Sequence, residues 1–278
     1  MTNLMPYPLI ITIDGLDAAG KETVSRALAR RINTIKNTDR CVNFSFPRYF
    51  NESGKFIKSV LSNSEFLKLV PDDRKPYLIS ELFIANRHEF FTSMKDEFDA
   101  GGIYVFDRYS ASNILYQGVG MTDFELNQLI TYNKTLEYDV YKNYKPTYSF
   151  FLRVPYKVLR DRIKFRESLK SGEDNDNYEK DAFLKSVYHL SEYMLTNQDK
   201  IAVHDLFNYI IDAVEPNSMR LYTVDELVDQ MIQVLVEEGI LVLPKVENPQ
   251  QPMNEYIPEE ATVNKEEVKD NADDWIIW

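Results

Sequence analysis

The stretch G-L-D-A-A-G-K-E-T, from Gly15 to Thr23, decides the fold of this chain. It follows the apolar run L-I-I-T-I-D and precedes V-S-R-A-L-A-R-R-I, in which apolar residues recur at helical spacing. The segment therefore predicts a strand, a tight loop and a helix. In such a unit the backbone N–H groups of the loop and the N-terminus of the helix converge on one point, which favours a polyphosphate ligand. We call Gly15–Thr23 the phosphate loop.

The end of the phosphate loop departs from the usual pattern. G-x-x-x-x-G-K, in which Lys21 would reach the β- and γ-phosphates, normally continues with a Ser or Thr whose hydroxyl ligates Mg²⁺. Here Glu22 stands at that position. A carboxylate is also an acceptable Mg²⁺ ligand, so Glu22 either ligates the ion or turns away and leaves Thr23 or a water in the inner shell. Taken alone, the motif also fits an ordinary turn rich in small residues.

Four further apolar runs are separated by long segments with helical patterns. They are Cys41 to Phe46, Ile103 to Asp107, Thr147 to Leu152 and Asn208 to Ala213. Continuous apolar strands that alternate with helices indicate a parallel sheet covered on both faces. With the strand before the phosphate loop, they predict one α/β domain of the P-loop NTPase type, with five parallel strands, over residues 1–243.

Composition limits the classes of partner and site. The formal net charge is −12, which disfavours duplex nucleic acid or an anionic membrane as a partner. No apolar run approaches the roughly 20 residues that cross a bilayer, and we expect a cytoplasmic protein. With one cysteine and three histidines, the chain offers little for a disulfide framework or a structural zinc site. A metal would therefore take oxygen ligands.

Two charged segments stand apart from the predicted core. Residues 160–181 are strongly charged and nearly free of aliphatic residues after Leu169, which fits a solvated helix pair with a loop at Ser171 and Gly172. Residues 244–278 are acidic and contain several prolines, so we expect an extension that is disordered or loosely docked.

Four more motifs follow the phosphate loop in order. They are F-P-R-Y from Phe46, L-F-I-A-N-R from Leu82, D-R-Y-S-A-S-N-I-L-Y-Q-G from Asp107, and the segment 160–181. In this order and spacing, the chain from about Leu9 to Val214 resembles the thymidylate kinase family of nucleoside monophosphate kinases. The resemblance implies transfer of the γ-phosphoryl group of ATP to dTMP, with Mg²⁺, in a homodimer. It also implies a cis bond between Phe46 and Pro47.

The resemblance assigns roles on the acceptor side. Arg48 and Arg108 would bind the acceptor phosphate and the transferred group, and Asp17 would accept a hydrogen bond from the sugar 3′-hydroxyl. Phe83 would stack on the base, with Arg87 reaching a base carbonyl from four residues further along the same helical face. Asn113 and Gln117 would address the pyrimidine edge, and Tyr116 would crowd the sugar 2′ position. The substrate-binding set is Asp17, Arg48, Phe83, Arg87, Arg108, Asn113, Tyr116 and Gln117.

On the donor side, the resemblance implies that the segment 160–181 is a flexible lid that closes over the donor triphosphate, and catalytic charge is expected from this lid. Ala18 and Ala19 stand where some relatives carry an arginine, so Arg160, Arg162 and Arg166 are the candidates, of which we favour Arg162 and Arg166 without ranking them. Asp107 and Glu22 are the candidate metal ligands, and Asp14 either caps the turn or touches a ligand. The catalytic set is Lys21, Arg108, Asp107, Arg162 and Arg166, and the ATP-binding set is Gly15, Asp17, Ala18, Ala19, Gly20, Lys21, Glu22 and Thr23.

Two alternatives to a dTMP kinase remain open at this stage. One is a deoxynucleoside monophosphate kinase with a broader or different base preference. The other is a nucleotide-binding protein that has lost catalysis, which the replacement at Glu22 suggests.

Overall fold

A computed structural model of the chain describes residues 8–62, 64–168, 177–204 and 206–243. The predicted tail, residues 244–278, and the predicted loop at Ser171 and Gly172 lie outside the described residues.

Five parallel strands form one sheet, as predicted. The strands are β1 (Leu9–Gly15), β2 (Cys41–Ser45), β3 (Ile103–Asp107), β4 (Tyr148–Arg153) and β5 (Tyr209–Asp212), and their order in the sheet is β2-β3-β1-β4-β5. In register, Ile13 faces Asp107 and Gly15 faces Leu152. The carboxyl ends of the central strands therefore meet at one edge of the sheet, where open parallel sheets bind ligands.

Helices connect the strands in the described part of the chain. They are α1 (Lys21–Lys36), α2 (Glu52–Ser62), α3 (Ser64–Lys68), α4 (Lys75–Ser93), α5 (Lys95–Asp99), α6 (Ser110–Gln117), α7 (Asp123–Lys134), α8 (Tyr156–Ser168), α9 (Asn177–Thr196) and α10 (Val224–Glu237). A π-helical segment, Thr135–Val140, continues α7 directly. Capping boxes begin α7 at Thr122 and α10 at Thr223. Among these helices, none is long and apolar enough to cross a membrane.

The two faces of the sheet pack against different kinds of side chain. On β1, Ile11 and Ile13 belong to a largely aliphatic cluster with helices α1 and α10, whereas Ile10 belongs to an aromatic cluster. The aromatic cluster is built from Phe46, Phe90, Phe91, Phe98, Tyr104, Phe106 and Tyr109. Alternate residues of a strand point to opposite faces, so both faces are covered, as the continuous apolar strands predicted.

The peptide bond between Phe46 and Pro47 is cis, which confirms that expectation. Within the segment 160–181, the chain forms the end of α8 and the start of α9, so its described parts are helical.

Candidate active site

The phosphate loop turns sharply between β1 and α1. A Cβ atom at Gly15, where φ is +151°, would lie 2.7 Å from the carbonyl oxygen of Leu152 on the neighbouring strand, so only glycine fits. Ala18 and Gly20 also have positive φ, at +62° and +96°. The helix α1 begins at Lys21, directly after Gly20. The loop therefore has the strand, turn and helix N-terminus that the sequence predicted.

Lys21 is folded back onto the phosphate loop. Its Nζ donates a hydrogen bond of 2.7 Å to the carbonyl oxygen of Leu16, and the residue is only 4% exposed. Burial, together with the positive charge of Arg108, lowers the pKa of Lys21 to about 8, although nearby carboxylates oppose this change. The ammonium group is thus held at the loop without a directly bonded carboxylate partner among the described residues.

Glu22 faces the surface of α1 rather than the loop. Its carboxylate forms an ion pair with Arg26, one turn further along the helix, and its side chain is 39% exposed. This orientation agrees with the interpretation in which Glu22 is turned away, and the role of Glu22 in metal binding stays a prediction. The neighbouring Thr23 is also exposed.

Asp14 joins β1 to the start of α6. One of its oxygens, Oδ1, accepts hydrogen bonds from the backbone N–H of Tyr109, the backbone N–H of Ser112 and the hydroxyl of Ser112, at 2.9, 2.9 and 2.6 Å. The other oxygen, Oδ2, is buried without a partner in the described part of the chain. Burial raises the pKa of Asp14 above its usual value, although these hydrogen bonds and Lys21 act in the opposite direction. The side chain therefore caps a helix from β1, the strand next to the one that leads into that helix.

Arg108 and Asp17 form an ion pair above the strand ends. Arg108 adopts φ +66°, and its backbone N–H donates to the carbonyl oxygen of Ile13 at 3.0 Å. The guanidinium contacts the Asp17 carboxylate, and the hydroxyl of Tyr116 accepts a hydrogen bond of 2.9 Å from the backbone N–H of Asp17. Burial raises the pKa of Asp17, but the charges of Arg108 and Lys21 outweigh it and leave the pKa at about 2. The structure thus brings Asp17, Lys21, Arg108 and Tyr116 together.

Asp107 lies at the end of β3 with one oxygen available. Its Oδ2 accepts a hydrogen bond of 3.0 Å from the hydroxyl of Ser45 on β2, whereas Oδ1 is buried without a partner among the described residues. A buried carboxylate oxygen without a partner is uncommon in folded proteins and points to a proton, water or ion.

Arg48 is held through its backbone. Asn86 on α4 accepts a hydrogen bond of 2.7 Å from the Arg48 N–H and donates one of 3.3 Å to the Arg48 carbonyl. The guanidinium lies over the rings of Phe44, Phe50 and Phe90, with centroid distances of 5.4, 4.4 and 5.0 Å. Burial lowers the pKa of Arg48. The adjacent Tyr49 is close enough to Arg108 and Asp17 for both charges to act on its hydroxyl, which connects F-P-R-Y to the site.

Arg87 makes a buried, bidentate ion pair with Glu137. Nε donates to the two carboxylate oxygens at 2.9 and 3.1 Å, and Nη2 contacts Oε2. Burial lowers the pKa of Arg87, but Glu137 outweighs it, so the pKa lies above the usual value. On the same helix, one turn earlier, Phe83 is half-buried.

Asn113 and Gln117 are buried on α6, four residues apart. The Asn113 amide nitrogen donates to Oδ1 of Asn133 at 2.8 Å, and this leaves the Asn113 carbonyl oxygen buried without a partner among the described residues. The amide nitrogen of Gln117 is also buried and without such a partner. The two residues therefore offer an acceptor and a donor to a ligand.

The three arginines that were expected to act from a lid differ in position. Nη1 of Arg162 donates to the carbonyl oxygens of Ala18 and Ala19 in the phosphate loop, at 3.1 and 3.0 Å. Burial and the charge of Arg166 lower the pKa of Arg162. Arg166 is exposed, and Arg160 lies 3.5 Å from Asp161. Of the three candidates, the structure thus brings Arg162 to the loop.

The sequence analysis missed several residues that orient the side chains of this site. Asn86 lies inside L-F-I-A-N-R, next to Arg87, but an asparagine on a helix has many roles. Glu137 and Asn133 come 50 and 20 residues after their partners Arg87 and Asn113. No local pattern connects residues at such separations, so only the fold reveals these pairs.

A family model described as Thymidylate kinase matches residues 13–214. The chain belongs to the thymidylate kinase family. The resemblance identified from the phosphate loop and the later motifs is therefore confirmed, and members of this family are ATP-dependent phosphotransferases.

Individual relatives agree with the family match. The chain is 30% identical over 211 residues to the thymidylate kinase of Mesomycoplasma hyopneumoniae strain J, covering 74% of this chain and 94% of the relative. It is 25% identical over 178 residues to the thymidylate kinase of Mycobacterium tuberculosis H37Rv, covering 64% of this chain and 80% of the relative.

Solved thymidylate kinase structures share the fold. The structure from Candida albicans aligns with a TM-score of 0.56 at 22% identity, covering 84% of this chain and 93% of the other. The structure from Ehrlichia chaffeensis aligns with a TM-score of 0.52 at 19% identity, covering 83% of this chain and all of the other. At these identities the likeness establishes the architecture, and the five-stranded parallel sheet agrees with it.

Proposed function

We propose that the chain is a dTMP kinase that transfers the γ-phosphoryl group of ATP to dTMP and releases dTDP and ADP. The single observation that carries this proposal is the meeting of Lys21, Arg108 and Asp17 at the strand ends, in a chain whose residues 13–214 match the thymidylate kinase model. Phosphoryl transfer depends mainly on positioning and charge neutralisation, and this cluster provides both.

The proposed donor site is the phosphate loop. The backbone N–H groups after Gly15 and the N-terminus of α1 would bind the β- and γ-phosphates of ATP. Lys21 would exchange its hydrogen bond to the Leu16 carbonyl for a phosphate oxygen. Arg162, already bonded to the carbonyl oxygens of Ala18 and Ala19, would neutralise charge as the phosphoryl group moves.

The proposed acceptor site binds the sugar and the phosphate of dTMP. Arg108 and Arg48 would bind the phosphate of dTMP. Asp17, ionised because its pKa is about 2, would accept a hydrogen bond from the 3′-hydroxyl. Tyr116, whose hydroxyl is held by the Asp17 backbone, would occupy the space that a 2′-hydroxyl needs.

The proposed base site matches the hydrogen-bonding pattern of thymine. N3 of thymine carries a hydrogen and its 4-carbonyl accepts, whereas cytosine has an acceptor at N3 and an amino group at position 4. The free carbonyl oxygen of Asn113 suits the N3 hydrogen, and the guanidinium of Arg87 suits the 4-carbonyl. Gln117, with a free amide nitrogen, suits a second carbonyl, and Phe83 would stack on the ring.

Mg²⁺ is the metal that the family implies, and the residues present fit it in part. The unpartnered Oδ1 of Asp107 supports this residue as a direct or water-mediated ligand. Glu22 fits less well because its carboxylate pairs with Arg26. Mg²⁺ usually binds one or two carboxylates together with substrate phosphates, so Asp107 alone is sufficient on the protein side. The ion would neutralise charge on the phosphates of ATP.

We also propose that the protein is a homodimer, on the basis of its family. Light scattering of the purified chain at several concentrations tests this. A mass of twice 32.6 kDa is expected, and a mass of 32.6 kDa throughout would contradict the proposal.

The activity is tested by following ADP release with ATP and each of dTMP, dUMP, dCMP and dGMP as acceptor. We expect the highest kcat/KM with dTMP and no turnover by Lys21→Met. Equal turnover of dGMP would favour a kinase of another or broader base preference. Binding of both dTMP and ATP without formation of dTDP in excess Mg²⁺ would favour a nucleotide-binding protein without catalysis.

A further inference from the structure

Glu137 is a buried carboxylate that no assigned role explains. It is 0% exposed and lies in the π-helical segment Thr135–Val140, between α7 and β4. Its oxygens accept hydrogen bonds from Arg87 on α4 and, at 2.7 Å, from the amide nitrogen of Asn143. An ion pair buried in a protein interior is a weak source of stability, because desolvation of the two charges offsets their attraction. The pair therefore calls for another explanation.

The pair fixes the direction of the Arg87 guanidinium. A planar guanidinium bound along its Nε and Nη2 edge cannot rotate without breaking two hydrogen bonds at once. The third nitrogen, Nη1, makes no hydrogen bond to the part of the chain that the structure describes, so its N–H groups are available to a ligand. The guanidinium carbon also lies 5.2 Å from the ring centre of Tyr109, which directly follows Arg108. The oriented donor is thus next to the D-R-Y segment of the acceptor site.

The backbone around Glu137 supports a specific placement. In the π-helical segment the N–H of Tyr141 bonds to the carbonyl of Leu136, five residues earlier, at 3.0 Å. Such segments occur often at functional sites, because the wider turn changes which side chains point inward. Asn133, four residues before Glu137, orients Asn113 in the same way that Glu137 orients Arg87. One short stretch of chain therefore holds both of the groups that would read the base.

We propose that Glu137 is a positioning residue that presents Nη1 of Arg87 to the 4-carbonyl of the pyrimidine, and that it thereby sets the preference for thymine over cytosine. This inference rests on the proposed function, since it concerns the base of the acceptor nucleotide. Cytosine carries an amino group at position 4, so a hydrogen-bond donor of the base would face the N–H donor of Arg87. Neither buried group would then have an acceptor. A guanidinium released from Glu137 could turn away from that clash and discriminate less.

The decisive variant is Glu137→Gln, which keeps the shape and removes the charge. We expect kcat/KM for dTMP and for dUMP to fall together, by about 10-fold and mainly through KM, because both bases carry the 4-carbonyl. The preference for dTMP over dCMP should fall by about the same factor, and KM for ATP should change by less than about 2-fold. A role in folding alone would lower activity on all three nucleotides equally.

Two controls separate positioning from stability. Leu235→Ala removes a fully buried side chain on α10 and destabilises the fold without touching either base-reading residue. It should leave the ratios among the three nucleotides unchanged. In an Arg87→Gln background, adding Glu137→Gln should not change the ratios further, because the carboxylate would act only through Arg87.

Two results would contradict the role proposed for Glu137. Equal losses on dTMP, dUMP and dCMP in Glu137→Gln would overturn the positioning role, as would a further change of ratio in the Arg87→Gln background. Should Glu137→Gln not fold, Asn143→Ala removes the hydrogen bond from Asn143 to Glu137, together with weaker side-chain contacts to His88 and to the Ile84 carbonyl, and leaves the ion pair itself in place. It should shift the ratios in the same direction by about 3-fold. Titration of dTMP and dCMP into each protein compares the affinities for the two nucleotides without turnover. If the wild type proved inactive, the proposed function would be contradicted, but the ratio of affinities in wild type and Glu137→Gln would still test the role of Glu137.

Discussion

Oδ1 of Asp14 lies 2.9 Å from the backbone nitrogen of Tyr109, and this hydrogen bond joins the end of β1 to the start of α6. The N-cap residue of α6, Tyr109, makes no capping hydrogen bond with its own side chain, and Asp14 supplies that contact from the neighbouring strand β1. Arg108 immediately precedes Tyr109 in the chain. The position of Arg108, the proposed acceptor-side arginine, therefore depends on a carboxylate that does not touch it.

The first prediction concerns the stability of this link. Asp14→Ala should lower the free energy of unfolding by about 2 to 3 kcal/mol, because three donors lose their acceptor in a buried place. Asp14→Asn keeps an acceptor oxygen and should retain most of the stability at pH 7. Urea denaturation of the two variants and the wild type measures the difference. Equal losses in both variants would contradict the assignment of Asp14 as a cap.

The pH dependence of stability is a further test of Asp14. Because burial raises its pKa above 3.8, the folded state binds more protons than the unfolded state at pH values just above 3.8. The stability contributed by this group therefore falls as pH rises through that window. Asp14→Asn cannot ionise, so the wild type should lose stability relative to this variant over the pH range directly above 3.8. A constant difference across that range would show that the carboxyl does not titrate there.

The second prediction concerns ATP binding and Lys21. Its pKa of about 8 in the free protein means that the side chain loses its charge at mildly alkaline pH. ATP affinity should therefore fall above pH 8, approaching about 10-fold per pH unit. Lys21→Arg should bind ATP more weakly at pH 7, but with an affinity that does not change between pH 7 and 9.5, because arginine stays charged. Calorimetric titration measures both. Identical pH profiles would contradict the role of Lys21.

The third prediction concerns the clamp on Arg48. Asn86→Ala removes both hydrogen bonds to the Arg48 backbone and should raise KM for dTMP by about 10-fold, with little change in KM for ATP. Asn127→Ala is a matched control, because Asn127 bridges the carbonyl of Lys200 and the N–H of Ala202 in the same way at another place. Steady-state kinetics with each substrate varied in turn checks both variants. A similar rise in KM for dTMP in Asn127→Ala would remove the argument for Asn86.

The fourth prediction ranks the arginines of α8 that were proposed to act in catalysis. Arg162 contacts the phosphate loop and Arg166 is exposed, so Arg162→Ala should lower kcat by about 10³-fold and Arg166→Ala by far less. Single-turnover measurements under saturating ATP and dTMP separate the chemical step from product release. The opposite ranking would mean that Arg162 only supports the loop and that Arg166 reaches the transferred group.

The fifth prediction concerns Glu22. Since its carboxylate pairs with Arg26, Glu22→Gln should change the Mg²⁺ concentration at half-maximal activity by less than about 2-fold. Arg26→Gln is the control that breaks the same pair from the other side, and it should behave alike. A 10-fold higher requirement for Mg²⁺ in Glu22→Gln alone would identify the carboxylate as a metal ligand.

The strands and the phosphate loop were predictable because their signals are local. Apolar runs such as Ile103 to Asp107 reproduce an observed strand, and the glycines of the loop appear at positive φ, where glycine is favoured. The order of the motifs along the chain identified the family, which the match to residues 13–214 confirmed. The roles of the individual site residues remain predictions.

The contacts that orient the site were not predictable from the sequence. Glu137, Asn133 and Asn86 are polar residues on helices, and nothing in their immediate surroundings separates them from a solvated helical face. Each acquires its role from a partner that the fold brings near across 20 to 50 residues of chain. A lone buried carboxylate such as Asp14 gave two equally good interpretations, and the geometry of α6 was needed to identify the capping contact.

The ion pair between Arg108 and Asp17 has a consequence for which anions the protein can hold. Arg108 already has an internal counterion, so a phosphate that bound there as proposed would have to compete with a carboxylate tethered at the same place. For small free anions such as sulfate or inorganic phosphate, the binding free energy at Arg108 is only the difference between their attraction to the guanidinium and that of Asp17. A nucleotide bound as we propose would add stacking and base hydrogen bonds to that difference, and so would displace the resident anion where a bare ion cannot.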